Sequence, residues 1–93
     1  MDMIIADDAR PRLPRGVRLR EDKVRARWVL LAPERVVKAN PIAVEILKLC
    51  DGSRSVSEIV AGLAERFIAD PARVGADVRA LLASLAEKRM AEL

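Results

Sequence analysis

The dipeptide Asn40-Pro41 divides this chain into two halves that obey different periods. Before it, apolar and charged residues alternate. Val17 and Leu19 are interleaved with Arg18 and Arg20, and Val24, Ala26, Trp28 and Leu30 with Arg25, Arg27, Val29 and Leu31. Period two is the pattern of a strand, whose successive side chains point to opposite faces. Glu21-Asp22-Lys23 lies between the runs and suits a tight hairpin turn. Ala32-Pro33-Glu34 breaks the second run, because proline has no N–H for a ladder. Arg35 to Ala39 then reads as a short third strand. The first half is predicted to be a three-stranded antiparallel meander whose buried face takes Trp28 and part of the valine and leucine set.

After Asn40-Pro41 the period becomes helical. Asparagine is a good N-cap, and proline at the first helical position loses nothing by lacking its N–H. Ala43, Ile46, Leu47 and Cys50 follow at i, i+3, i+4 and i+7, one face of a helix, with Gly52 placed to end it in a left-handed conformation. Ser55-Val56-Ser57-Glu58 fits a capping box and opens a second helix whose face carries Val56, Ile59, Val60, Leu63 and Phe67. Asp70-Pro71 repeats the cap-plus-proline signal. A third helix carries Val74, Val78, Leu81, Leu82 and Leu85 on one face, with Arg73 and Asp77 as an exposed i,i+4 pair. Residues 1–15, with Pro11 and Pro14 and no apolar period, read as a flexible N-terminal arm or an extended segment laid over the body. Residues 16–93 form the domain.

Composition narrows the chemistry. The chain of 93 residues has no histidine and no tyrosine, and Trp28 and Phe67 are its only aromatic residues. No histidine-based acid/base, Cys–His or Ser–His pair can be built within one chain. The single cysteine, Cys50, closes no internal disulfide, and no His/Cys cluster has zinc spacing. Cys50 falls on the buried face of the first helix and has no base to activate it, so it reads as a small core residue. The stretch around it is a joint between two helices. A reduced, cytoplasmic location fits this cysteine usage. The start, MDMIIADDAR, lacks the basic and apolar regions of a signal peptide, and no stretch approaches a membrane span. Charge is uneven. Residues 1–40 hold ten Lys/Arg against six Asp/Glu, and residues 41–93 seven against eight.

Read as a whole, the chain resembles the PqqD family. The segments that carry the resemblance are RLPRGVRLREDKVRARWVLLAPERVV, NPIAVEILKLCDGSRSVSEIV, and the spacing of Asp77, Val78, Leu81, Leu82 and Leu85, together covering roughly residues 11–93. The family usually has leucine before the asparagine, where this chain has Ala39. The resemblance implies an α+β, winged-helix-like fold, a three-stranded antiparallel sheet followed by three helices. It also implies a non-catalytic adaptor for a ribosomally made precursor peptide, PqqA. The adaptor presents that peptide to the radical-SAM enzyme PqqE, which joins a glutamate and a tyrosine of the peptide on the route to pyrroloquinoline quinone. In the family the peptide groove lies between the third strand and the third helix. The matching positions here are Arg35, Val36, Val37, Lys38 and Ala39 on the strand, and Val74, Asp77, Val78 and Leu81 on the helix. No cofactor is implied.

The residues themselves leave room for this role, since an edge strand offers unpaired N–H and C=O groups to which a guest peptide can add. They also admit rivals. A winged helix can bind DNA, but the helix from Pro71 offers Arg73 and Arg79 with Asp77 between them and no Asn or Gln to read bases. A stand-alone enzyme would have only acids, lysines and one thiol to work with. An open edge also allows two copies to pair as a homodimer. The expectation is therefore a peptide adaptor with no nucleic-acid or membrane partner.

Overall fold

In a computed structural model, which describes residues 4–93, the elements run in the order β1 (Arg18–Asp22), β2 (Arg27–Ala32), β3 (Arg35–Ala39), α1 (Pro41–Leu47), α2 (Val56–Phe67) and α3 (Pro71–Glu87). The strands form one antiparallel sheet in the order β1-β2-β3. β2 is central, and β1 and β3 are both edges.

The ladders sort the side chains into rows. Leu19, Leu30 and Val37 share one row, and Glu21, Trp28 and Ala39 the next. These rows face the helices, where Leu30 is buried with Ala43, Leu47, Leu85, Met90 and Ala91. A second cluster lies between the helices, built from Ile46, Cys50, Val56, Ile59, Leu63, Val78 and Leu82, with Ile5 from the N-terminal segment. Leu81 packs against both clusters, so α3 couples the sheet to the helix pair. Trp28 is half-buried on the inner face, with the Lys48 ammonium 5.1 Å from its ring centroid.

The helix starts are those the caps dictate. The Ala43 N–H donates to Asn40 Oδ1 at 2.8 Å, and Pro41 and Pro71 occupy the first turns of their helices. In the capping box of α2 the Glu58 N–H donates to Ser55 Oγ at 3.1 Å and the Ser55 N–H donates to Glu58 Oε1 at 3.0 Å. Such a cap contributes about 1 kcal/mol.

Three local expectations change. The β1–β2 turn covers residues 23–26, not Glu21-Asp22-Lys23. Asp22 accepts the Arg25 N–H at 3.2 Å and lies within 4 Å of the Arg25 and Arg27 guanidinium groups, so it anchors the turn from the end of β1. Ala26 takes the left-handed φ of 52° that closes the loop, and Val24 stands in solvent at its tip. The first helix stops at Leu47. Cys50 is buried beyond it, while Gly52, at φ 83°, belongs to the α1–α2 connection. Phe67 is 52% exposed and not on the buried face, because α2 ends there. Ile68 comes next at φ 51°, a strained conformation for a β-branched residue.

Residues 4–15 lie as an extended segment over the body; residues 1–3 of the expected arm fall outside the described residues. Ile5 and Pro11 are buried. The Val56 and Ser57 amides, two of the otherwise unsatisfied donors at the start of α2, donate to the Ala9 and Asp7 carbonyls at 2.9 and 3.0 Å. The Gly52 amide donates to the Pro11 carbonyl at 3.0 Å, and Arg12 and Glu92 exchange backbone hydrogen bonds of 2.9 and 2.8 Å. The segment thus caps α2 and ties the start of the chain to its end.

Candidate functional site

The β3 edge has a definite polarity, set by the hairpin before it. Ala32 pairs with Arg35 across a loop of only Pro33 and Glu34. With two residues in the loop, the flanking pair must be a hydrogen-bonded one. Counting along the ladder, the backbone groups of Arg35, Val37 and Ala39 turn toward β2. Those of Val36 and Lys38 turn away from it, leaving two N–H and two C=O groups spaced to accept another strand. The side chains obey the opposite logic. Val37 and Ala39 point inward and are half-buried, whereas Val36, 64% exposed, and Lys38 point to the outer face.

Directly beyond this strand the surface opens into an apolar cavity of about 440 Å³. Pro41, Ile42 and Ile46 of α1, Leu63 and Phe67 of α2, and Val74 of α3 are among its lining residues. Glu45, Arg73 and Asp77 stand among the lining residues as its charged groups. The Glu45 carboxylate accepts from the Arg66 guanidinium at 2.8 Å, and that guanidinium also sits 4.9 Å from the Phe67 ring centroid. The side of the cavity near Phe67 is therefore held by a hydrogen-bonded, stacked group. The cavity begins at Pro41, two residues after the end of β3, and no β3 residue is among its lining residues.

The expected site residues divide accordingly. Arg35 to Ala39 form the edge. Val74 and Asp77 line the cavity. Leu81 is half-buried between the two clusters. Val78 is corrected: it has no exposed surface, and its work is to pack α3 on the core. Ile42 and Phe67 were not expected in the site. Ile42, 59% exposed, lies off the apolar face of α1 right after the cap, a signal that could have marked it.

Cys50 offers no reactive group. Its thiol donates to the Ile46 carbonyl at 3.3 Å, and burial first, then the Asp51 charge, pushes its pKa up to about 11. It is therefore a neutral thiol at ordinary pH. Among the described residues, no group of three or more His, Cys, Asp or Glu side chains is placed to hold a metal ion, and no helix is long and apolar enough to cross a membrane.

Residues 27–91 match the family described as Coenzyme PQQ synthesis protein D (PqqD). The chain belongs to the PqqD family. A PqqA binding protein of Rhodopseudomonas palustris (strain BisB5) is 53% identical over 87 residues, which are 94% of this chain and 85% of the relative. Among solved structures, the PqqD truncation of Methylobacterium extorquens PqqCD is described as a functional and stand-alone recognition element for ribosomally synthesized and post-translationally modified peptides. It superposes with a TM-score of 0.84 at 49% identity, covering 97% of this chain and 96% of that one. PqqD from Xanthomonas campestris superposes with a TM-score of 0.62 at 42% identity, covering 97% of this chain and all of the other. The α+β arrangement is thus the winged-helix-like PqqD fold.

Proposed function

We propose that this PqqD-family chain is a peptide adaptor in pyrroloquinoline quinone synthesis. It binds the precursor peptide PqqA by strand addition to β3 and presents it to the radical-SAM enzyme PqqE. The observation that carries this reading is the juxtaposition of outward backbone groups at Val36 and Lys38 with the cavity beyond Asn40. The edge gives affinity without demanding a sequence, and the cavity selects an apolar side chain of the guest. Relatives named for binding PqqA support the identity of that guest.

In this reading Arg35, Val36, Val37, Lys38 and Ala39 supply the edge, and Val74, Asp77, Leu81, Ile42 and Phe67 the groove. The adaptor turns over nothing itself. It lacks histidine and tyrosine, its thiol is neutral and enclosed, and a backbone edge is not reactive. It raises the peptide's effective concentration at the enzyme, a gain of roughly 10²–10⁴ when both are held. It works in the cytoplasm, without a nucleic-acid or membrane partner. Two copies pairing edge to edge would use the same β3 groups, so homodimerisation competes with the peptide.

The test is crosslinking of full-length PqqA by PqqE at dilute concentrations, with and without this protein. Acceleration by the protein is expected. Equal rates in its absence would overturn the adaptor reading.

A further inference from the structure

The face of the sheet turned away from the helices is built unlike an ordinary solvated face. Its rows are Arg18, Leu31 and Val36; Arg20, Val29 and Lys38; and Asp22 with Arg27. Four cations and one carboxylate thus surround three aliphatic side chains. Val29 is only 5% exposed and belongs to neither of the two core clusters. The side chains in its own row, Arg20 and Lys38, carry the methylene stems to lie over it. Arg27 Nε is buried 3.8 Å from Asp22 Oδ2, with no hydrogen-bond partner among the described residues. The cationic character continues into the β1–β2 turn through Lys23 and Arg25, beside the fully exposed Val24.

We propose that this outer face docks an acidic protein surface, that of the enzyme which modifies the bound peptide. The inference rests on the adaptor reading and gives it a second binding surface. Charge complementarity names the partner's character. The aliphatic centre favours a protein over a nucleic acid, because a phosphate backbone has no use for Val29, Leu31 and Val36, and the one tryptophan faces inward, away from any base. Geometry links this surface to the peptide. A strand added to β3 extends the sheet, and its side chains alternate between the two faces. Half of them enter the groove side and are held. The other half join the outer face beside Val36 and Lys38, where a partner seated on that face meets them. The domain would in this way show the enzyme one composite surface of its own cations and the guest's outward residues.

The experiment uses the full chain with Arg18→Glu and Arg20→Glu together. Both lie on β1, at the edge opposite the peptide. Binding of the radical-SAM enzyme is measured without peptide, and binding of PqqA without enzyme. Enzyme affinity should fall by about tenfold or more, and wild-type affinity should drop steeply from about 50 to 300 mM salt, while peptide affinity stays within about twofold. Should the reversed pair fail to fold, R18Q/R20Q carries the same test with a smaller loss. Enzyme binding that is absent in the wild type, or unchanged in the variants, overturns the proposal; so does duplex DNA displacing the enzyme from the wild type. Failure of PqqA to bind the wild type strikes the adaptor reading and leaves the enzyme measurement to decide the outer face on its own.

Discussion

The sheet has two open edges, and they are not alike. β1 reads Arg18-Leu19-Arg20-Glu21-Asp22, with charge at every position but one, and it runs into a turn anchored by Asp22. β3 reads Arg35-Val36-Val37-Lys38-Ala39 and runs straight through Asn40 into α1 and the cavity. Charged side chains are a common way to blunt an edge against unwanted pairing. In the proposed reading the sheet therefore protects β1 and keeps β3 available to a guest. Backbone donors alone do not distinguish the edges. The segment into which each strand leads does: a closed turn after β1, an open hollow after β3.

Val37→Pro should produce the largest effect, because Val37 turns its backbone toward β2 and its side chain into the core. Losing that ladder bond and the inner packing should cost about 3 kcal/mol in a urea titration. Val36→Pro should behave quite differently, since its N–H points outward and proline is tolerated there. Peptide affinity by calorimetry should fall roughly tenfold with the fold intact, and Val36→Thr should stay within about twofold. Glu21→Pro, at an outward position of β1, is the matching control. If it weakens the peptide as much as Val36→Pro, the two edges are equivalent and the comparison breaks.

The cavity should contribute less than the edge. Ile42→Ser or Phe67→Ser should lower peptide affinity about threefold, with little change in stability because both side chains are more than half exposed. Smallest of all on binding, Cys50→Ala should leave peptide affinity unchanged, since the thiol is buried in the cluster between the helices and is part of neither the β3 edge nor the cavity lining. It should cost about 1 kcal/mol at neutral pH. The cost should shrink in alkali. The thiol's pKa is raised from about 9.0 to about 11 by folding, so its contribution is full below pH 9 and is lost as pH rises through 11. Urea midpoints for both proteins at pH 7 and 10.5 check the sign.

The features legible in the sequence were local ones. Asn40-Pro41, Ser55 to Glu58 and Asp70-Pro71 mark helix starts by chemistry confined to four residues, and each helix begins where they say. β3 was bounded correctly because Pro33 and Pro41 flank it. The β1–β2 turn was misplaced because the decisive contact, Asp22 accepting from Arg25, competes with an alternation that runs on through Val24 and Ala26. On the functional side, Arg35 to Ala39 could be named as an edge, but which amides face outward depends on the two-residue loop that sets the ladder's phase. Val78 and Phe67 share a helical apolar pattern, yet one is sealed and the other open. That difference comes from where α2 stops, a property of packing that periodicity does not encode.

The reciprocal backbone bonds between Arg12 and Glu92 close a loop across a separation of 80 residues. Closing so long a loop costs roughly 4 kcal/mol of chain entropy, so this contact belongs late in the order of folding events. Once the body is folded, releasing the contact frees only the short segment before β1, which makes it early in the order of opening. Amide exchange at Arg12, Gly52, Val56 and Glu92 should report one sub-global event, the peeling of the N-terminal segment, at a lower free energy than exchange from β2. The start of α2 would then lose two of its caps while the sheet stays closed, giving the domain a partly opened form that differs from the native one at the helix joint but keeps the β3 edge in place.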